Sequence, residues 1–314
     1  MSFNSRREML FLYTVKDANP NGDPLNENHP RYDEDTEQAL VSDVRIKRTV
    51  RDEWVRVGKN VFVDGEPKTL RERFEELKKS TGKEKGEEVI KECLDTRLFG
   101  VTFALGKEKG EKGKESFSFS WIGPVQFKWG RSLHAATFEF IQGTSAFATE
   151  GRREGEKKEQ RSFRNEYKVP FALIGVYGIA NQYAAAFTGA DDNDLEELGK
   201  ALWQGTDNLI TRSKNEHKAR FYLEIKYRPG FDGKIGALDE KVLLLSADGK
   251  ELTRDRQKAL RKLEEVFVDV SPLVEKISAR KNDIEALKII KDAELRLKGE
   301  KELEALGLGH IESR

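Results

Sequence analysis

The stretch VSDVRIKRTVRDEWVRV, residues 41–57, most narrows what this chain can fold into, because it writes an apolar stripe and a basic arc onto one helix. Ile46, Val50 and Trp54 recur at i, i+4 and i+8, the spacing of an inward-packing face. Ser42 has the chemistry of an N-cap, and Asp43 suits a first turn, where the helix dipole favours negative charge. Arg45, Arg48 and Arg51 step by three and Lys47 lies one turn before Arg51, so positive charge crowds the remaining surface. Like charges so spaced destabilise an isolated helix by roughly 0.2–0.5 kcal/mol per pair. Three acids (Asp43, Asp52, Glu53) face six bases (Arg45, Lys47, Arg48, Arg51, Arg56, Lys59), and an external polyanion relieves that imbalance. A solvated face serving solubility reads the same way in isolation.

Bulk charge does not favour a polyanion. Fifty-six basic and fifty-six acidic residues cancel, so nucleic-acid affinity requires basic side chains gathered into one place. The single cysteine, Cys93, excludes an internal disulfide and a multi-cysteine zinc site, fits a reducing cytoplasm, and reads as a small buried apolar residue. The segment MSFNSRREML lacks the long apolar run of a signal peptide, and the expected location is cytoplasmic. Residues 169–190 carry no charge, but Pro170, Gly175, Gly178, Asn181 and Gln182 interrupt them, so a buried strand followed by a small-residue helix is expected and no membrane partner.

Met9 to Val15 is apolar on both alternations, as in a strand covered on both faces. A long loop rich in Asn, Asp and Pro follows. After the basic helix, Leu70, Phe74 and Leu77 carry helical spacing. Phe99, Val101 and Phe103 alternate as a second core strand, Phe117, Phe119 and Trp121 as the next, and Val125, Phe127 and Trp129 resume the period of two. Phe138 and Phe140 mark another strand. Residues 149–168 hold seven bases and five acids and are expected to project as a hairpin or arm. Leucines at 195, 198, 202 and 209 mark an amphipathic helix, and Phe221 to Tyr227 the last strand of the main sheet. Val242–Leu245 and Val266–Val270 suit auxiliary strands, and residues 278–314, rich in Glu and Lys, a helical tail. The element order, βαββαβ with insertions, is that of α+β ferredoxin-like domains, which include the RRM type of RNA-binding sheet. Many functions share that order.

Local chemical motifs are sparse. Asp17, Asn19, Asn21, Gly22 and Asp23 match the first positions of a calcium loop, but its last position needs a bidentate glutamate and holds Asn28. His29, His134, His217 and His310 stand far apart without metal-ligand spacing, and the Lys-Gly repeat at 106–115 lacks the P-loop pattern, so neither a metal nor a cofactor is expected. In GPVQFKWGRS, alternation puts Gln126 and Lys128 on one face and Val125, Phe127 and Trp129 in the core, with Arg131 and Ser132 beyond, a set suited to a nucleic-acid groove and equally to a plain amphipathic strand. Arg212, Ser213 and Lys214 suit backbone contacts or a helix C-terminus.

At NPNGDP (19–24), SDVRIKRTVRDE (42–53), GPVQFKWGRSL (123–133) and TRSKNEHKARFYLEIKY (211–227) the chain resembles the Cas-seven-type family, the repeated backbone subunits of type I CRISPR surveillance complexes (Cascade), closest to the I-B branch. The resemblance runs over roughly residues 5 to 230, in order. It implies a modified RRM-like palm over residues 1–277, with a finger at about 58–115 and a thumb at about 149–166, and a non-enzymatic subunit polymerised along one CRISPR RNA. The implied partners are that RNA, the target DNA strand, further copies of the chain, and the cap, large and small subunits of the complex. The implied RNA-facing residues are Asn19, Asn21, Arg45, Lys47, Arg48, Arg51, Gln126, Lys128, Arg131, Ser132, Arg164, Arg212, Ser213 and Lys214, with Arg45, Arg48, Arg131 and Lys214 expected to converge. Relatives in type III complexes cut target RNA with an aspartate after the first strand, and Asp17, Asp23 and Asp33 lie in that region as the alternative.

Overall fold

The computed structural model describes residues 1–106, 117–144 and 163–314. Its central sheet is built around β1 (Arg7–Ala18), where Arg7 to Val15 are all buried, as apolarity on both alternations predicts. Above one face lies α1 (Asp43–Arg56), whose Ile46, Val50 and Trp54 enter the core. Ser42 accepts a hydrogen bond from the Arg45 amide at 3.3 Å and so caps this helix. The chain returns to the sheet as β2 (Val125–Phe127) and β3 (Gly130–Ser132), then crosses it as the long β4 (Phe163–Ala180). A second helix, α2 (Asp192–Asp207), packs beside α1, and β5 (His217–Tyr227) pairs with β1 on its other side. The strands between and around the two helices therefore lie in the order β5, β1, β4, β3, all antiparallel, with β2 also on β4.

The sheet separates two cores. Met9, Phe11, Tyr13 and Val15 of β1 face the helices, together with Leu195, Leu198 and Leu202 of α2, while Leu10 and Leu12 face a layer formed mostly by residues 238–306. Between the helices the backbones come close: a Cβ at Gly205 would lie 2.9 Å from the Thr49 carbonyl oxygen, so α2 carries no side chain there. Glu8, buried beneath the sheet, accepts from the Tyr177 and Tyr227 hydroxyls and from the Ile235 and Gly236 amides, which pins the loop after β5.

Four expectations need correction. Gly100–Leu105 and Phe117–Ile122 are not the second and third strands of the main sheet; among the described residues they pair only with each other, and they pack a separate core with the helix Leu70–Thr81. Phe103 stacks on Phe119 at 5.0 Å and Phe119 on Trp121 at 5.2 Å, so their alternation serves this smaller core. The tail from 278 is not a helical appendage. It supplies β6 (Ile284–Lys291), paired antiparallel with β5, and β7 (Ile311–Ser313), parallel to β6, with only the short helix Glu300–Ala305 between residues 299 and 306. Ile284, Leu287, Ile289 and Ile290 are buried there, and the surrounding Glu and Lys residues masked that strand. For the same reason β5 is not the last strand of the sheet, and a boundary at 277 would divide it. Trp129 leaves the core with 43% of its surface exposed, because the strand breaks between β2 and β3 and the period of two does not carry through.

Glu139–Thr144 pairs with Phe163–Lys168 as a two-stranded ribbon, and residues 149–162, most of the thumb expected at about 149–166, lie outside the described residues. Val169 to Ala180 is the buried strand expected and Gln182–Thr188 the small-residue helix. No helix among the described residues is long and apolar enough to cross a membrane.

Candidate nucleic-acid interface

Beside the N-terminus of α1, a cleft open to solvent is lined by Asn19, Asn21, Arg45, Ser213 and Lys214 from the predicted set, joined by Asn28, Asn165, Glu166 and Tyr167. Segments nearly two hundred residues apart meet there because backbone and amide hydrogen bonds lace them. The Asn19 amide donates to the Ser213 carbonyl at 2.8 Å, and Asn21 Oδ1 accepts from the Ser42 amide at 2.8 Å, which fixes the loop against the cap of α1. Asn19 Nδ2 donates to the Asn28 carbonyl at 2.7 Å, closing the turn on itself. Gly22 is demanded by that closure, since a Cβ there would meet the Asn28 oxygen at 2.9 Å.

Two cations in this cleft have no carboxylate partner among the described residues. Arg45 donates to Thr49 Oγ1 at 2.9 Å, and among the described residues neither it nor Lys214 has a carboxylate within ion-pairing distance. Burial, and then the neighbouring Arg45 charge, pull the Lys214 ammonium down to about 8; burial likewise lowers Arg45. Below them His217 is buried and stacked on Tyr13 at 6.0 Å, with both ring nitrogens unpartnered. Burial, followed by the charges of Lys214 and Arg45, holds its pKa down at about 3, so the ring is neutral. Two glutamates, Glu27 and Glu166, stand at the rim; Glu166 meets Arg212 at 3.5 Å, placing that arginine at the edge of the cleft.

The remaining predicted residues, Arg164 aside, stand elsewhere, each held by a partner within the chain. Arg51 bonds the wholly buried Asp95 at 2.8 Å, and Arg48 pairs with Asp52 at 2.6 Å and approaches Gly65. Lys47 reaches Asp43 at 3.3 Å and Gln126 at 3.4 Å, and both Lys47 and Arg51 lie over the Phe99 ring, at 5.6 and 5.3 Å. Lys128 turns to the opposite layer, to Asp239 at 3.0 Å and to Glu240. Arg131 pairs with Asp33 at 2.7 Å, and that hydrogen bond holds the Asp33 carboxyl down at about 2. Ser132 is buried and structural: its hydroxyl donates to the His134 carbonyl at 2.6 Å and accepts from the Ala39 amide at 3.0 Å. Arg164 takes a register position opposite Gly143 on the ribbon. Of the four cations expected to converge, Arg45 and Lys214 do, whereas Arg48 and Arg131 do not. An ion-pair partner three to four residues away, or one from another element, decides which arginines remain free, and helical spacing alone cannot show the second kind.

The loop aspartates are also engaged. Asp17, at φ 46°, pairs with Lys168 at 2.7 Å, and Asp23 accepts from the Leu25 amide at 3.2 Å and meets Arg31 at 3.3 Å. Among the described residues no group of three or more His, Cys, Asp or Glu side chains is set to hold a metal ion.

Comparison with known proteins fits this arrangement. The pattern that defines the family described as CRISPR-associated protein Cas7 matches residues 5–271. A protein of Haloferax volcanii described as CRISPR-associated protein Cas7 is 28% identical over 319 aligned positions, covering 95% of this chain and 90% of the relative. A solved chain described as part of a CRISPR RNA-guided surveillance complex, pre-nicking, superposes with a TM-score of 0.54 at 14% identity, covering 98% of this chain and 96% of its own, a likeness of fold. With more than three quarters of its residues inside the family pattern, the chain belongs to the CRISPR-associated Cas7 family.

Proposed function

We propose that this chain is a non-enzymatic, RNA-binding backbone subunit of a type I CRISPR surveillance complex of the I-B-like branch. In this reading several copies line one CRISPR RNA, meet the cap, large and small subunits at the ends and flank of the assembly, and hold the guide open to a target DNA strand. The observation that carries it is the pair of cations, Arg45 and Lys214, which have no ion-pair partner among the described residues and are gathered with asparagine amides in one cleft of a net-neutral chain. Point charges and amides without a base-reading pattern suit sequence-independent grip on phosphates, which leaves target choice to base pairing. Family membership and the surveillance-complex likeness support the same reading. So does the strand order β5, β1, β4, β3 with two helices on one face, which supports a ferredoxin-like, RRM-type palm. The pair Gly100–Leu105 and Phe117–Ile122 with its own core then corresponds to a finger, and the ribbon from Glu139 to the root of the thumb.

Changing Arg45 and Lys214 together to glutamine tests this. Each phosphate contact to a single strand contributes about 0.7 to the slope of log affinity against log salt, so the double variant loses about 1.4 from that slope along with affinity for any RNA sequence. An unchanged slope and affinity removes the cleft from the RNA path.

A further inference from the structure

A lysine can act as a nucleophile only when its amine has a free lone pair, and ion pairing takes that away. Lys68 and Lys168 show the usual case: hydrogen bonds to Glu76 at 2.9 Å and to Asp17 at 2.7 Å raise their pKa and keep them charged. Lys214 is placed differently. It is half-buried, lines a cleft open to solvent, and has no carboxylate within ion-pairing distance among the described residues. We propose that Lys214 is a modification site at which an acyl phosphate transfers its acyl group to the side-chain amine, with Arg45 holding the phosphate that leaves.

Three features of the cleft fit that chemistry. The backbone of the nucleophile is fixed, since the Lys214 amide donates to the Thr211 carbonyl at 3.1 Å and the Ser213 carbonyl accepts from the Asn19 amide at 2.8 Å. Arg45 lines the same cleft without an acid partner among the described residues, so a guanidinium stands ready for a phosphate beside the amine. Arg45 also lines a small apolar recess with Phe11, Tyr13, Ile46, Leu202 and His217, which suits a short alkyl tail. The charged and titratable groups around the amine are Arg45 from α1, neutral His217 below it, and Glu27, Glu166 and Tyr167 across the cleft. Both carboxylates are occupied at the rim, Glu166 by Arg212 and Glu27 by Asn165 Nδ2, each at 3.5 Å. Burial and then the Arg45 charge bring the Lys214 amine down to about 8, which supplies the neutral form near neutral pH.

The step balances without an oxidant or a further reactant. Neutral Nζ attacks the carbonyl carbon, the C–N bond forms, and the C–O bond to phosphate breaks with its electron pair leaving on phosphate. The proton lost from nitrogen passes through water to that phosphate. The product is an uncharged amide, so the cleft loses one of its two free cations. The transfer itself needs only the cleft; its effect on RNA rests on the function proposed above, where one lost phosphate contact lowers affinity about fivefold at 0.1 M salt.

The experiment treats the RNA-free full chain with acetyl phosphate at pH 8 and follows each lysine by peptide mass spectrometry. An amine at about 8 is half neutral there, against roughly one part in three hundred for an ordinary lysine, and its lower basicity costs about half a power of ten in reactivity per pKa unit. Lys214 is therefore expected to acetylate about tenfold faster than the exposed Lys16 and Lys79. Its rate levels off above pH 8 while theirs climb to pH 10. Excess inorganic phosphate and Arg45→Gln each slow the reaction of Lys214 with acetyl phosphate more than its reaction with phenyl acetate, which carries no phosphate. Equal rates at the three lysines, a Lys214 rate that climbs in parallel with the others, or indifference to inorganic phosphate overturns the site. If Lys214 is acetylated as described but bound RNA does not protect it and the acetylated chain binds RNA unchanged, the acylation site stands and the RNA path through this cleft falls.

Discussion

Arg51 of the basic helix donates through Nε to Asp95 at 2.8 Å, and the Asp95 carboxylate, also accepting from the Phe62 and Val63 amides at 2.7 and 3.2 Å, has no exposed surface. An arginine that sequence spacing places on a basic arc, and that the family resemblance turns toward RNA, is thus the clasp between α1 and the smaller aromatic core. Removing it strands a buried carboxylate, which costs about 3–5 kcal/mol where a buried pair loses one partner. The expected outcome for Arg51→Ala is a large fall in the thermal or denaturant midpoint, with the fraction still folded binding RNA at wild-type salt slope. A stable variant with a reduced slope would return Arg51 to the interface.

What could be read in the sequence follows from which constraints are local. The cap at Ser42, the stripe of Ile46, Val50 and Trp54, and the doubly buried β1 are written in consecutive residues and fold as their spacing says. The partner of Gly100–Leu105 is not so written, because a period of two states that one face is buried and leaves open which sheet buries it. The same holds in the site. Asn19, Asn21, Ser213 and Lys214 come together as expected, while Arg48, Lys128 and Arg131 are diverted by Asp52, Asp239 and Asp33, two of these acids lying about a hundred residues away in sequence. Asn165 and Tyr167 escaped notice because a highly charged segment precedes them, although the alternation NEYKV already announces the strand they begin.

Gly205 faces Thr49 so closely that its hydrogen is part of the helix packing. Gly205→Ala improves helix propensity by about 1 kcal/mol yet places a methyl 2.9 Å from a carbonyl oxygen, and backbone cannot retreat as a side chain does. The net expectation is a loss of about 1–2 kcal/mol in denaturant unfolding. The neighbouring change Lys200→Ala, on the exposed side of the same helix, is expected to be within about 0.5 kcal/mol of neutral. A neutral or stabilising Gly205→Ala would mean the helices slide apart freely.

Lys214 links the cleft to pH. Its folded pKa of about 8 lies below its ordinary value, so between those two limits the unfolded chain holds more protons than the folded one. Its contribution to stability is therefore unfavourable below about 8 and is relieved as pH rises through 8 toward its ordinary value. RNA binding has the opposite dependence, because a phosphate favours the charged ammonium: affinity is flat below pH 8 and declines above it, with proton uptake on binding. In Lys214→Arg, which stays charged, the decline is expected to disappear. Binding isotherms at pH 7, 8 and 9 at fixed ionic strength check this, and a decline of equal size in Lys214→Arg would assign it to another group.

Asp17, Asp23 and Asp33 bear on whether the chain cuts the RNA it would hold. A hydrolytic carboxylate must be free to activate water or to bind a metal ion that does so. Here Asp17 is held by Lys168, Asp23 by Arg31 and the turn amide of Leu25, and Asp33 by Arg131, three separate pairings that point the carboxylates at their own cations. Incubation of the RNA-loaded assembly with complementary RNA and magnesium is expected to leave that RNA intact, and Asp17→Asn, Asp23→Asn and Asp33→Asn are each expected to leave the products unaltered. Fragments at regular intervals that vanish with any one of these changes would make the chain an RNA-cleaving backbone of the type III kind, with that aspartate released from its cation when the strand is bound.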